Sequence, residues 1–123
     1  MIEYDELPIS ILEQLEEIAL EDIYGTFEAQ SVYSEISLST KKNTDLASLY
    51  EVPIELVQEI KEINILANKK DFILSIYENN QEIVMNIITS IIDKEIANLS
   101  IDRTLDTIKA EDLNTVFISL QNL

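Results

Sequence analysis

After Pro8, apolar side chains fall at Ile11, Leu12, Leu15, Ile18, Ala19 and Ile23, the three- and four-residue spacing of a helix with one dry face. Proline suits the first helical turn, and Gly25 offers a left-handed stop. Thr26 can cap a second helix carrying Phe27, Ala29, Val32, Tyr33 and Ile36, followed by the polar connection Ser37, Ser39 and Thr40. Further helices are predicted over residues 44–50, 53–66 and 70–77, with Asn79 and Asn80 as a break. A long helix is expected over 81–99, a short one after Ser100, and a last one over 111–121.

The helix from Gln81 carries Ile83, Val84, Ile87, Ile88, Ile91, Ile92 and Ile96, a stripe wider than a helix with one solvent face needs. It is expected either at the centre of the fold or at a subunit interface. One Gly and two Pro leave few tight-turn signals, which argues against β-hairpins. The fold class expected is all-α: a small helical protein with an acidic leading segment (1–40), a central unit (41–68) and C-terminal helices that form a core or oligomerisation element (69–123).

Charge divides the chain in the same way. The net charge is -16. Residues 1–40 hold ten acidic side chains and no Lys or Arg, residues 41–70 balance five against five, and residues 71–123 hold nine acidic against three basic. Such a surface repels phosphate and anionic headgroups on average, so any anionic partner should meet Lys41, Lys42, Lys61, Lys69 and Lys70 first. The carboxylates Glu13, Glu16, Glu17, Glu21 and Asp22 are expected on a solvated face largely opposite the first apolar stripe and, with Glu28 further along, open to a basic protein partner.

The N-terminus has no basic region followed by an apolar stretch, and the apolar segment 83–92 is about half a membrane span. A cytoplasmic protein without a membrane partner is expected, in the host cytoplasm if the chain is viral.

Histidine and cysteine are both absent, which removes the commonest general base, soft metal ligand and nucleophile. A single Gly excludes Gly-rich phosphate loops. The run Glu59-Ile60-Lys61-Glu62 has the acidic and Lys spacing of some nucleases, but in a helical context. The five tyrosines lack interleaved Arg and make no base-stacking platform; Tyr33, Tyr50 and Tyr77 sit at apolar helix positions and are expected in the core. No enzyme activity, cofactor, metal site or small-molecule substrate is expected.

Residues 43–61 read NTDLASLYEVPIELVQEIK. Leu46, Ala47, Tyr50, Val52, Val57 and Ile60 stand where two short helices crossing at a steep angle need buried contacts, with Ala47 small enough for the crossing. Asn43 or Thr44 can cap the first helix, and Pro53 fits the opening of the second. This stretch resembles the helix-turn-helix of phage small terminase subunits and related phage regulators. The resemblance implies a DNA-binding unit followed by helices that assemble a homo-oligomeric ring. Glu51 stands where the pattern has Gly, and the second helix offers Glu55, Glu59 and Glu62 among its outward positions.

Two functions follow as expectations. One is a DNA-recognition and packaging accessory, with Lys41, Lys42, Lys61, Lys69 and Lys70 on phosphates, Gln58 and Asn64 as polar readers, and Ile83, Ile87, Ile88, Ile91, Ile92 and Ile96 in the core or the oligomer contact. The other is an acidic protein-binding module that touches no DNA: an adaptor, an inhibitor that mimics nucleic acid, or a virion structural protein.

Overall fold

The computed structural model describes residues 4–92 and 100–123. Among these residues a 3-10 turn, Tyr4–Glu6, precedes six α-helices: α1 (Ile9–Leu38), α2 (Asn43–Tyr50), α3 (Ile54–Asn79), α4 (Gln81–Ile91), α5 (Ile101–Thr107) and α6 (Ala110–Gln121). The protein is all-α, and no strand occurs among the described residues. None of these helices is long and apolar enough to cross a membrane.

The chain forms two compact units, one of Ile11–Ile65 and one of Met1–Ser10 with Leu66–Leu123. In the first, α1 is broken at Gly25, whose φ of 79° and ψ of 168° are not helical. The break reverses the chain. Tyr33 feels the charges of Glu13, Glu17 and Glu16, whereas an uninterrupted helix would put Tyr33 roughly 25 Å from Glu16 at 1.5 Å per residue. The two arms of α1 therefore form a helical hairpin with Gly25 at its tip.

Behind the hairpin lies one core of Leu20, Ala29, Val32, Ile36, Leu46, Val52, Leu56, Val57 and Ile60, with Ala19, Tyr24, Tyr33, Ala47 and Tyr50 packed against it. The boundary expected at residue 40 falls inside this unit, because Ala29, Val32 and Ile36 of α1 share that core with α2 and α3. Ala47 is half-buried where full burial was expected.

The turn from α2 into α3 is closed by main-chain bonds. Glu51 takes the left-handed conformation (φ 53°, ψ 48°), its N–H donates to Ser48, and the Val52 N–H donates to the Ala47 carbonyl at 3.0 Å. These are the paired bonds of a Schellman motif, and Val52, just past it, enters the core. The cap expected from Asn43 or Thr44 does not form. The helix starts one residue earlier, with Lys42 at the N-cap and no side-chain cap bond.

Residues 53–66 and 70–77, expected as two helices, are one helix, α3. The intervening Ala67, Asn68 and Lys69 include no Gly or Pro, and helix-forming Ala and Lys carry the ladder through.

In the second unit, α4 packs on α6. The buried side chains include Ile73, Val84, Ile88, Leu105, Ile108, Leu113, Val116 and Leu120. Lys70 ties α3 to α5, its Nζ 2.7 Å from Asp106 and 3.0 Å from Asp102. The Ala110 N–H donates to the Leu7 carbonyl at 3.0 Å, which fixes the segment after the 3-10 turn to the start of α6. Ser100 caps α5 by accepting from the Arg103 N–H. The helix from Gln81 ends at Ile91, earlier than expected, where Ile92 is extended. Just before that end, Thr89 and Ser90 turn their hydroxyls back onto the carbonyls of Met85 and Ile87, bonds that compete with continued helix. The expected extension to residue 99, and Ile96 within it, lie outside the described residues.

Candidate interaction surfaces

Of the five central lysines, Lys41, Lys42 and Lys61 belong to the Ile11–Ile65 unit, and Lys69 and Lys70 to the other. Lys41 and Lys42 are exposed ahead of α2. Lys61 is half-buried and its Nζ donates to the Lys41 carbonyl at 2.8 Å, so these three cluster. Lys69 donates to Asn114 Oδ1 at 2.6 Å and lies 5.4 Å from the centre of the Phe117 ring, itself edge-on to Phe72. Lys70 is 17% exposed between its two aspartates. Its ammonium is held above the ordinary lysine value: burial lowers it, but the hydrogen bonds and charges of Asp106 and Asp102 outweigh that. A lysine so neutralised has little charge left for a phosphate.

Beside the cluster, α3 exposes Glu55, Gln58 and Glu62, while Glu59 and Asn64 are half-buried. Gln58 is therefore open as a polar reader, between carboxylates. The turn that follows α2 presents another, since Glu51 is exposed.

The acidic face of the first arm requires a correction. Glu16 is 4% exposed, on the same side as the buried Leu12 and Leu20, because positions four apart share a helix face. Glu13, Glu17 and Glu21 are half-buried, and Asp22 and Glu28 are exposed. The apolar residues have turned accordingly: Ile18 is 56% exposed, Ile11 and Ile23 are exposed, and Leu15 is half-buried. Six apolar positions over this arm span more than one face, and the presence of Glu16 in the Leu12–Leu20 row disguised which of two rows is the inner one.

At the hairpin tip, Phe27 is 98% exposed. Two residues after the Gly25 break, it has left the phase of Ala29, Val32 and Ile36, which are buried. The glycine is the signal for a reversal in the sequence. The periodicity after it does not separate a core phenylalanine from a displayed one.

Of the isoleucines of α4, Ile88 is fully buried, Ile87, Ile91 and Ile92 are half-buried, and Ile83 is exposed. Ile88 thus serves the core, and Ile83 marks the open edge of the stripe. No group of His, Cys, Asp or Glu that could hold a metal occurs among the described residues. Compared with protein-family models, curated proteins and solved structures, the chain matches none significantly.

Proposed function

We propose that this chain is a non-catalytic protein-binding module whose acidic hairpin docks on a basic protein surface. Phe27 carries the reading: a side chain 98% exposed, on a leading segment of ten carboxylates without a cation. Exposed large aromatics in such a setting are anchors of protein interfaces, and the surrounding charge selects a cationic partner and speeds its approach. With neither His nor Cys, the residues present favour binding over chemistry.

A second reading is a DNA-recognition and packaging accessory of the small terminase type, acting as a homo-oligomer. The Schellman turn between α2 and α3 and the cluster of Lys41, Lys42 and Lys61 favour it. Electrostatics weighs against it, because the same stretch exposes Glu51, Glu55 and Glu62 and few phosphates could be neutralised by one protomer.

Affinity capture with the whole chain, Phe27→Asp and Lys41→Glu/Lys42→Glu separates the two. Under the protein-binding reading a basic protein is retained by the wild type and the lysine variant and lost from the Phe27 variant. Capture of duplex DNA that the lysine variant abolishes and the Phe27 variant preserves would overturn it.

A further inference from the structure

The first arm of α1 has two apolar rows. Leu12 and Leu20 lie in one, with Glu16 between them, and all three are buried. Ile11, Leu15 and Ile18 make the other, spaced by four and three residues, so they form one outward stripe. Ile18 is 56% and Ile11 39% exposed, with Leu15 half-buried between them. Gln14, Glu17 and Glu21 follow the same spacing one row aside, and Asp22 continues the stripe toward the tip. An apolar strip with a carboxylate border runs along this arm, and it is separate from the ring at Phe27.

From this geometry we infer that the stripe of Ile11, Leu15 and Ile18 seats a basic amphipathic helix of a partner protein. The inference rests on the protein-binding reading above and names the class of partner. Such a helix supplies apolar side chains at the matching three- and four-residue intervals, with Lys or Arg on its flank for Glu17 and Glu21 and at its end for Asp22. Charge selects the occupant. A second copy of this chain would bring its own segment of ten carboxylates against these, and nucleic acid or an anionic membrane would be repelled in the same way.

The test uses the full chain and a fluorescently labelled synthetic helix with Leu on one face and Lys on both flanks, read by anisotropy. The wild type binds it, and a scrambled peptide of the same composition binds far more weakly. Ile18→Glu lowers the affinity about tenfold or more, through lost apolar burial. The added carboxylate would by itself strengthen attraction to Lys, so a loss reports the stripe and not the charge. Ile11→Ser/Ile18→Ser gives the same loss if the glutamate variant fails to fold by circular dichroism. Phe27→Ser binds the peptide as the wild type does.

Equal binding by the serine double variant and the wild type overturns the inference, as does equal binding of the scrambled peptide or no binding by folded wild type. The broader reading falls separately. Capture of a basic protein that depends on Phe27 but not on Ile18 removes the stripe alone, and capture that depends on neither removes both.

Discussion

The hydroxyl of Tyr50 donates to Oε2 of Glu35 at 2.5 Å, tying the last residue of α2 to the second arm of α1. Tyr24, beside the hairpin tip, donates in turn to the Tyr50 carbonyl. Three phenols of this unit are held above the ordinary value of 10.0: Tyr50 by its bond to Glu35, then burial, then the charge of Glu35; Tyr24 by burial and the charges of Glu51 and Glu28; Tyr33 by burial and the charges of Glu13, Glu17 and Glu16. The fold therefore prefers the neutral phenols. Their contribution is fully present below the unfolded value of about 10 and is lost as the pH rises through the folded values. The urea midpoint should be level on this account up to about pH 10 and fall above it. Tyr50→Phe should cost about 0.5–1 kcal/mol at neutral pH and make the alkaline fall shallower.

Glu51 holds φ 53° at the close of α2, a conformation that costs an L residue roughly 1 kcal/mol and glycine little. Glu51→Gly should raise stability by about 0.5–1 kcal/mol, and Glu51→Val should lower it, because a β-branched side chain tolerates this region least. Chemical denaturation of both variants checks the sign. A glycine variant less stable than the wild type would mean that the Glu51 side chain contributes more than its strained backbone costs.

Local chemistry made much of the fold legible. The helix stop at Gly25, the Asn79-Asn80 break, the helix start after Ser100 and the turn at Glu51 were all readable, since each depends on residues within a few positions. What escaped depends on the phase of a helix against distant partners. Ile11 and Ile18 look identical in type to Leu12 and Leu20, and only the second arm packed on Leu20 decides which row is inside. The lysines show the same limit. Lys70 is an available cation in the sequence because Asp102 and Asp106, its partners in space, lie thirty and more residues away. Phe27 was readable as apolar but not as displayed.

Lys70 is the polar link between α3 and α5, and α5 spans only Ile101–Thr107. A helix that short has little stability of its own, so its place depends on such contacts and on Leu105 in the core. Lys70→Met should lower stability by about 1 kcal/mol, a figure kept small because Asp102 is 63% and Asp106 40% exposed. Asp106→Asn in the same background should add less than it costs alone, since the pair is already broken. A thermal-denaturation double-mutant cycle measures that coupling, and strict additivity would show that the ion pair contributes nothing.

Gly25 offers a separate test of the hairpin. A Cβ placed there would meet nothing within 4 Å, so an alanine has room. The backbone does not: φ 79° with ψ 168° lies in territory that only glycine occupies readily. Gly25→Ala should therefore destabilise the Ile11–Ile65 unit by about 1–3 kcal/mol with no steric clash to relieve, and a larger side chain should cost about the same. If the cost grew with side-chain size instead, packing at the tip would be responsible. Alanine favours straight helix, so the variant also competes with the reversal itself. The Tyr33 phenol reports the outcome: with the arms opened it loses first its burial and then Glu13, Glu17 and Glu16 as neighbours, and its ionisation returns toward the ordinary tyrosine value, which a spectroscopic titration of the variant would detect.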